Sequence, residues 1–300
     1  MKVGVIGTAN KDKLVLPSGA VVKAWGGIVY NLLTLNHYLG HKGAIKPICC
    51  VGADCRETFP ALLRKFTSID QNALHHVAQR QNRVILKCHS HEDKEETADL
   101  SLPPVPFDHI AKHLDDLDFL IVNFSSGRDI TQETLRKIRR AYLKPILVDV
   151  HSLTLSDPDA RNQRRLRGLH DWQDWLEGIE YVQLSWNECT SLTGETSTSI
   201  SGLVKAADWL LEHGTLGVIV TRGEAGALYF HNDDQGILKE EIEPFPLHTV
   251  IDSTGCGDVF SAAFVSYMLM TGKTMKALNF AVKASALKAT FSGLGPWLNG

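Results

Sequence analysis

The chain has 300 residues, of which 44% are hydrophobic and 22% are charged. This balance is typical of a soluble globular protein and excludes a disordered, collagen-like or coiled-coil chain. The formal net charge of −3, from 31 basic and 34 acidic residues, gives the protein no electrostatic reason to bind nucleic acid or an anionic membrane.

The sequence carries no sign of a membrane span or a secretory signal. A spanning helix needs ~18 unbroken apolar residues, and polar residues interrupt every apolar run here before that length. The apolar segment Val3–Gly7 is followed almost at once by the charged Lys11–Lys13, so it is too short for a signal peptide. None of the six cysteines belongs to a C-x-x-C pair. We therefore expect a cytoplasmic protein with reduced thiols.

Short apolar segments alternate with longer amphipathic ones along the chain. The apolar runs predict strands over Val3–Ile6, Ile45–Val51, Phe119–Val122, Ile146–Val150, Tyr181–Leu184 and Val218–Val220. The helical spacing of apolar residues predicts helices over Val29–Leu39, Thr131–Leu143, Ile200–His213 and Val259–Met270. Nearly continuous hydrophobicity in strands that alternate with helices indicates an α/β fold, with a mostly parallel sheet covered by helices on both faces.

Two segments depart from this alternation and predict β-hairpins. Lys11–Ala24 turns at Pro17-Ser18-Gly19, and Arg83–Leu102 alternates in polarity on both sides of a charged turn. We expect these hairpins, at approximately residues 11–24 and 80–104, to form a small β flap inserted in a single domain spanning residues 1–300. A third unusual segment, Asp157–Asp174, is rich in arginine, and we expect a surface loop or short helix whose arginines are solvated rather than bound to phosphate.

The strongest chemical signal is the segment Asp252–Asp258, which precedes an apolar helix. Small residues in front of a helix let backbone N–H groups converge on one point, where the helix dipole adds partial positive charge. The segment therefore predicts an anion-binding cradle at the start of the helix. Asp258 stands at its rim, where a carboxylate can accept the proton of an attacking hydroxyl. The alternative is that Asp258 only caps the helix.

Two weaker signals are rich in glycine. Thr221, Gly223 and Gly226 predict a tight turn after a strand, at the sheet edge where open α/β folds bind ligands. Gly26 and Gly27 allow the backbone to approach a ligand closely. Asn31, one helical turn later, offers both a donor and an acceptor to hydroxyl groups. Taken singly, each of these motifs is better explained as an ordinary turn or bend.

Taken together, the motifs resemble the ribokinase-like (PfkB-type) sugar kinase family along nearly the whole chain. The resemblance rests on the order Asn10-x-Asp12, Gly26-Gly27-x-x-x-Asn31, Val51-Gly52-x-Asp54, Asn187-Glu188, Thr221-x-Gly223-x-x-Gly226 and Gly255-x-Gly257-Asp258. Asp252–Asp258 is its most specific element, and the two hairpins are similar to the lid that covers the sugar in that family.

The resemblance implies a function, which is ATP-dependent phosphorylation of a small sugar with Mg²⁺. It implies that Asp258 is the catalytic base and that Gly255, Cys256 and Gly257 form the anion hole. It also implies substrate-binding roles for Asp12, Gly26, Gly27 and Asn31, and nucleotide-binding roles for Asn187, Thr221, Gly223, Gly226 and Asn279, with the loop Ser292–Gly295 flanking the adenine. A monovalent cation held near Asp252 and Thr254, and a homodimer formed through the lid, are further implications.

One position departs from the family pattern. The family has Asn-x-x-Glu, whose Glu helps to organise magnesium, whereas Thr190 stands at that place here and Glu188 is expected to point elsewhere. The metal ligands are therefore left unassigned. Two alternatives stay open: a nucleoside kinase of the same family, with Trp25, Tyr30 and Phe124 as walls for a base, and a non-catalytic sensor of sugar or nucleotide.

Overall fold

A computed structural model describes residues 1–16, 18–88, 94–193, 200–234 and 236–295. The strands are β1 (Lys2–Ile6), β2 (Ala9–Val15), β3 (Val21–Gly27), β4 (Ala44–Val51), β5 (Leu74–His76), β6 (Arg83–Cys88), β7 (Lys94–Asp99), β8 (Phe119–Asn123), β9 (Ile146–Asp149), β10 (Gln163–Arg164), β11 (Tyr181–Ser185), β12 (Gly217–Thr221), β13 (Ala227–Asp233) and β14 (Gly236–Ile242). The α-helices are α1 (Ile28–Leu39), α2 (Thr58–Leu63), α3 (Phe107–Ile110), α4 (Gln132–Ala141), α5 (Trp172–Leu176), α6 (Trp186–Thr193), α7 (Ile200–Glu212), α8 (Cys256–Thr271) and α9 (Thr274–Ala289).

The main sheet has nine strands in the order β14-β13-β12-β11-β9-β8-β1-β4-β5. All neighbours from β12 to β5 are parallel, and β13 and β14 add an antiparallel edge. The fold is therefore α/β with a mostly parallel sheet, which confirms the prediction. Because the strands run parallel, the carboxyl ends of β8, β9, β11 and β12 meet at one edge, where the side chains that follow them converge.

Alternation along the central strands explains their unbroken hydrophobicity. On β8, Phe119 and Ile121 belong to the core beneath α1, α8 and α9, whereas Leu120 and Val122 belong to the core on the opposite face. Side chains of a strand alternate between faces, so a strand buried on both sides is apolar at every position. The two cores fix the sheet between helices and hold its carboxyl edge in place.

A second sheet of five strands lies in the order β10-β7-β6-β2-β3. The pairs β2–β3 and β6–β7 are antiparallel, and they occur where the hairpins are predicted. The turn between β6 and β7 falls in residues 89–93, outside the described residues. Strand β2 pairs in parallel with β6, and β3 continues directly into α1 at Gly27 and Ile28. The second sheet is therefore joined directly to helix α1, which packs against the main sheet.

The arginine-rich segment differs from the prediction. Instead of forming only a surface loop or short helix, it contributes strand β10, which pairs with β7, as well as helix α5. The expectation of a solvated arginine run is wrong for Arg164, which is 7% exposed. The physical reason is that Arg164 pairs with a carboxylate and with several backbone carbonyls, so its charge is compensated inside the protein.

Helix boundaries follow local capping. Helix α4 begins after Thr131, whose hydroxyl accepts a hydrogen bond from the backbone N–H of Thr134. Helix α8 ends at Gly272, which takes the left-handed conformation (φ 65°) common after a helix. Among the described residues, no helix is both long and apolar enough to cross a membrane.

Candidate active site

A cavity of about 540 Å³ opens between the carboxyl edge of the main sheet and the second sheet. The main sheet contributes polar residues at or after its strand ends, namely Ser125, Asp149, His151, Gln183, Ser185 and Thr221. The second sheet contributes Asp12, Val84, Leu86 and Glu96. The walls are therefore polar on one side and mixed on the other, as in a site for a small hydroxylated molecule.

The segment that is predicted to form an anion cradle lies at the start of α8. Gly255 is the N-cap residue of this helix and takes the left-handed conformation (φ 81°). A Cβ at Gly255 would overlap the ring of Tyr30, so both the backbone conformation and the space require glycine. Gly257 faces the cavity, with no atom closer than 3.8 Å to the position of an added Cβ. The N-terminal end of this 16-residue helix, with its partial positive charge, thus faces an open space, which suits an anion.

Asp258 lies in the first turn of α8, 5% exposed, on the wall of this cavity. Its Oδ1 accepts a hydrogen bond from Asn123 Nδ2 at 2.5 Å. The N-cap position belongs to Gly255, so Asp258 is not the capping residue of the alternative explanation. Burial raises the pKa of Asp258, while His151, Asn123 and Lys288 act in the opposite direction. A carboxyl whose pKa is raised accepts a proton more readily than a carboxyl in water.

Asn31 is fully buried beneath Asp258. Its Nδ2 donates to the carbonyl of Asp258 and to the hydroxyl of Ser261, both at 2.9 Å, and its Oδ1 accepts from Asn123 at 2.8 Å. Both polar ends of the Asn31 amide are therefore engaged inside the protein, and the residue does not line the cavity. In this structure Asn31 supports the first turn of α8, and contact with substrate hydroxyls stays a prediction.

Asp12 and Asn10 present buried acceptors to the cavity. They are 8% and 4% exposed, and Asp12 Oδ1 and Asn10 Oδ1 have no hydrogen-bond partner among the described residues. A Cβ on Gly26 would collide with the Asp12 carboxylate, so glycine there makes room for the acid. Burial, followed by the nearby Glu96 and Asp258 carboxylates, raises the pKa of Asp12 well above its usual range. Buried acceptors without partners are suited to receive ligand hydroxyls.

Several polar residues of the cavity were missed by the sequence reasoning, among them Asp149, His151 and Gln183. Asp149 and Gln183 lie on β9 and β11, and Gln183 Nε2 donates at 3.0 Å both to Asp149 Oδ2 and to the carbonyl of Gly257. Burial raises the pKa of Asp149 well above its usual range. His151 follows β9 in a left-handed conformation (φ 33°). The signal that could have found Asp149 and Gln183 is a polar residue inside an otherwise apolar strand.

His151 is a charge partner for these carboxyls. Burial lowers its pKa, but the carboxylates of Asp258, Asp149 and Glu188 outweigh that effect, and the pKa of His151 is raised overall. Its Nδ1 lies 4.0 Å from Glu188 Oε1. Non-glycine residues with positive φ are uncommon and concentrate at functional sites, which agrees with this position at the centre of the cavity.

Glu188 lies on the wall of the same cavity, so the expectation that it points elsewhere is wrong. Its Oε2 accepts a hydrogen bond from the backbone N–H of Ser185 at 2.8 Å, which turns the side chain back toward the sheet edge. Asn187, by contrast, is exposed and lines neither cavity described here. The side chain of Thr190 lies outside the described residues.

A second cavity, of about 600 Å³, adjoins the first. Thr221, Gly223, Gly226 and Cys256 line it, and a role of the first three in binding nucleotide phosphates stays a prediction. Its outer part is largely apolar, with Pro244, Phe245, Pro246, Leu247, Val250, Val282, Ala286 and Ala289. The two cavities share Thr221, Ser253 and Gly257 as a common wall. A molecule bound in each would therefore meet its neighbour at the cradle.

Two predicted neighbours of the adenine lie elsewhere. Asn279 is on the exposed side of α9, where its Nδ2 donates to the carbonyl of Met275 at 2.8 Å, and it does not line the second cavity. In the loop Ser292–Gly295, the N–H of Gly293 donates to Asp252 Oδ2 at 3.1 Å. This loop therefore contacts Asp252, at the start of the cradle segment, and does not line the second cavity.

Known proteins resemble this chain in sequence and fold. The profile of the pfkB family carbohydrate kinases matches residues 8–298. A ribokinase of Arabidopsis thaliana is 28% identical over 121 residues, 40% of this chain and 31% of that protein. A deoxyribokinase of Salmonella typhimurium is 31% identical over 106 residues, 35% of this chain and 33% of that protein. The matched segments thus span about a third of these relatives.

Solved structures share the fold over nearly the whole chain. A pyrophosphate-dependent kinase of the ribokinase family, in complex with sulfate, has a TM-score of 0.76 at 17% identity, covering 98% of this chain and 96% of that one. Arabidopsis thaliana ribokinase complexed with ribose and ATP has a TM-score of 0.74 at 17% identity, covering 97% and 93%. A Burkholderia thailandensis nucleoside kinase in complex with inosine has a TM-score of 0.76 at 16% identity, covering 99% and 93%. Because the family profile spans nearly the full length, the chain belongs to the pfkB family of carbohydrate kinases.

Proposed function

We propose that this protein transfers the terminal phosphoryl group of ATP to a hydroxyl of a small sugar. The observation that carries the proposal is the position of Asp258 beside the wall of Thr221, Ser253 and Gly257 that joins the two cavities. The first cavity, here called the acceptor cavity, would hold the acceptor, and the second, here called the donor cavity, would hold the nucleotide. The two molecules would meet at the cradle, with the carboxylate of Asp258 next to the acceptor. Phosphoryl transfer needs this combination of positioning, charge stabilisation and a proton acceptor.

In the proposed mechanism, Asp258 takes the proton of the acceptor hydroxyl as that oxygen attacks phosphorus. The N–H groups of the cradle stabilise the negative charge on the transferred phosphoryl oxygens. Asp12 and Asn10 orient the acceptor through its other hydroxyls, because their buried Oδ1 atoms accept no hydrogen bond from the described residues. His151 helps to keep Asp258 ionised before the transfer, since its positive charge lowers the pKa of that carboxyl.

The apolar part of the second cavity favours a nucleotide over pyrophosphate as the phosphate donor. Pro244–Val250 and α9 would enclose a base, whereas no lysine or arginine of the described residues lines this cavity. Pyrophosphate, small and highly charged, is usually held by cationic side chains. The pyrophosphate-dependent kinase among the structural neighbours shares the fold at 17% identity and makes pyrophosphate a donor to include in the test.

Magnesium fits the chemistry of the residues present. Mg²⁺ prefers carboxylate oxygen and phosphate ligands and is usually held by one or two carboxylates. Glu188 and Asp149 both line the first cavity, and Gln183 links Asp149 to the carbonyl of Gly257 in the common wall. These two carboxylates would hold the ion, with Glu188 in the role expected of a glutamate at position 190. Magnesium supplies neutralisation of the phosphate charge during transfer.

The second sheet acts as a lid in this proposal, within a single domain spanning the chain. Val84, Leu86 and Glu96 contribute its inner surface to the acceptor cavity. Closing over the bound sugar would exclude water, which competes with the sugar as acceptor.

The second sheet also carries apolar side chains that are exposed to solvent: Val21 is 52% exposed and Ile85 is 41% exposed. A homodimer through this sheet remains a prediction, to be checked by light scattering.

The nucleoside kinase alternative keeps only part of its support. Of the aromatic residues expected to enclose a base, Tyr30 lines the acceptor cavity, while Phe124 is fully buried in the core. Trp25 packs against Phe59 in a tilted arrangement, with ring centroids 4.8 Å apart. The acceptor cavity is instead rich in acceptors for hydroxyl groups. A sugar therefore fits better than a nucleoside.

A donor and acceptor panel tests the proposal. Phosphate transfer is measured with ATP, GTP and pyrophosphate against pentoses, hexoses, cyclic polyols and nucleosides, with Asp258→Asn as the inactive control. We expect turnover with ATP and at least one sugar. If only pyrophosphate supports turnover, pyrophosphate and not ATP is the phosphate donor. If only nucleosides are phosphorylated, the acceptor is a nucleoside and not a sugar. Binding of ATP without transfer to any acceptor would favour the sensor.

A further inference from the structure

Lys288 is a buried lysine in the last turns of α9. Its side chain is 0% exposed, and no other lysine of the described residues belongs to the buried class. Its Nζ donates to the backbone carbonyls of Asp252 at 3.1 Å and Phe291 at 3.2 Å, and it lies 3.8 Å from Asp252 Oδ2. An ammonium group is expensive to bury, so it persists only where several oxygens compensate its charge.

The aromatic surroundings add to this compensation. The Nζ of Lys288 lies 5.6 Å from the ring centroid of Tyr30 and 5.2 Å from that of Phe291. Aromatic faces attract cations, and more so when the cation is removed from water. Within the part of the chain that the structure describes, two carbonyls, one carboxylate and two rings thus surround this positive charge. Carbonyl and carboxylate oxygens are also the ligands that coordinate hard cations in proteins.

This positive charge lies directly behind the anion cradle. Asp252 Oδ1 accepts from the N–H of Thr254 at 2.9 Å and Oδ2 accepts from the N–H of Gly293 at 3.1 Å, so the carboxylate ties both loops together. The ring of Tyr30 lies against Gly255, and its centroid is 5.6 Å from the Nζ of Lys288. Lys288 therefore holds the loop that leads into the cradle, and its charge adds to the positive end of α8.

The residues around Asp252 do not fit a bound monovalent cation as well as Lys288. The two carbonyls and the carboxylate that would coordinate the ion already face the ammonium group. A second cation among the same oxygens would be repelled by the first. The monovalent cation expected near Asp252 and Thr254 thus lacks a place while Lys288 is present.

We propose that the ammonium group of Lys288 is a built-in cation that positions the cradle loop, so that phosphoryl transfer requires no potassium, sodium or ammonium ion. The inference rests on the proposed function where turnover is the readout. Its structural part, occupation of the cation position by Lys288, is independent of the substrate. Lys288 is a positioning residue in this proposal, since it acts on the phosphate through the loop and through its field.

The first experiment uses the wild-type protein. Turnover and melting temperature are measured in KCl, NaCl, CsCl and NH₄Cl against choline chloride at the same ionic strength. We expect less than about a twofold difference in turnover, since salts of equal ionic strength screen charges equally. We also expect no ion-specific change in the melting temperature. Activation or stabilisation by potassium, but not by choline, would overturn the proposal.

The second experiment removes the charge. Lys288→Met is compared with Lys276→Met, an exposed lysine on the same helix. We expect Lys288→Met to lose about 100-fold in turnover, the size of effect seen when one stabilising charge or donor is removed. We expect potassium or ammonium to restore part of this loss, and to raise the melting temperature of this variant alone. Lys276→Met should behave as wild type.

Each outcome decides the proposal. A folded Lys288→Met variant that keeps its turnover, or loses it without rescue by any small cation, would show that the charge has no such role. If the single variant does not fold, Lys288→Met with Asp252→Asn removes both charges, and wild-type turnover of that pair would also refute the proposal. If no protein turns over any acceptor, the proposed function fails. The ion-specific melting temperatures still decide whether Lys288 occupies a cation position.

Discussion

Arg164 and Glu96 form an ion pair, with 3.0 Å between Nη1 and Oε1, that joins strand β10 to strand β7. The Arg164 side chain is 2% exposed, and its guanidinium also donates to the backbone carbonyls of Ser126, Ser152 and Ser156. Ser126 and Ser152 belong to the loops that follow β8 and β9. One side chain therefore connects the second sheet to the carboxyl edge of the main sheet, beside the acceptor cavity.

Replacement of Arg164 should loosen this connection. We expect Arg164→Met to raise the KM for the acceptor several-fold while the KM for ATP changes little, because the donor cavity contains no part of this network. Three carbonyls and a carboxylate would lose their partner, so the free energy of unfolding should fall by about 1–3 kcal/mol. Steady-state kinetics and denaturant melts measure both effects, with the exposed Arg167→Met as control. Equal kinetics in the two variants would show that Arg164 has no influence on the acceptor.

Asp258→Asn tests the proposed base. Asparagine keeps the shape and can still pair with Asn123, but it cannot accept a proton, so turnover should fall by about 100-fold or more. The melting temperature and calorimetric ATP binding should change little. If Asp258 served only the helix end, asparagine would replace it at almost no cost, since the two residues cap helices equally well. Near-wild-type turnover in a stable variant would therefore refute Asp258 as the base.

The pH dependence should report the coupling of His151 with Asp258. Asp258 acts ionised, so the rate should rise with pH through its raised pKa. The positive charge of His151 lowers that pKa, so His151→Gln should move the acidic limb of the kcat/KM profile to higher pH. An unmoved limb would contradict this coupling.

Stability should change in the matching direction. Folding raises the pKa of His151, so the stability it contributes is complete below its usual value of 6.5 and is lost as pH rises through the folded-state pKa. The difference in free energy of unfolding between wild type and His151→Gln should therefore be largest in mild acid and should shrink above neutral pH. Urea melts from pH 5.5 to 8.5 measure it. A difference that grows with pH would contradict the assigned direction.

Glu188→Gln tests the magnesium assignment. The amide keeps the volume but loses the negative charge, so we expect a higher Mg²⁺ concentration for half-maximal turnover, by about tenfold, the lower end of the effects of losing a group that supports a metal site. The exposed Glu177→Gln is the control. An unchanged magnesium requirement in Glu188→Gln would transfer the role to another carboxylate. Thr190→Glu, which restores the family residue, should lower the requirement if position 190 faces the ion.

Gly255 and Gly272 provide a matched pair of left-handed glycines at the two ends of α8. Alanine at Gly272, where an added Cβ meets no atom within 4 Å, should cost only the backbone preference, about 1–2 kcal/mol. Alanine at Gly255 would also overlap the ring of Tyr30, so it should cost more and should weaken ATP binding. Thermal melts and calorimetry compare the two variants. Equal losses of stability in Gly255→Ala and Gly272→Ala would show that the ring of Tyr30 moves aside without cost.

The sequence was sufficient to predict the features that depend on local pattern. The α/β class followed from apolar strands such as Phe119–Val122, and the cradle followed from small residues before an apolar helix. Asn123, Asp149 and Gln183 differ from the apolar residues of their strands, which marks them in the sequence, but their roles depend on which strands become neighbours in the sheet. Arg164 was misjudged because an exposed and a buried arginine look alike until the partners, here Glu96 and distant carbonyls, are brought together by tertiary structure.

The walls of the two cavities come from different stretches of the chain. The donor cavity is formed entirely by residues between Thr221 and Ala289, whereas most of the acceptor cavity comes from residues between Asn10 and Glu188. Only Thr221, Ser253 and Gly257 belong to both. Most of the residues that contact the acceptor can therefore change during evolution while the residues that bind the phosphate donor stay the same. Under the proposed chemistry, a new sugar preference requires no change in the machinery that delivers the phosphate.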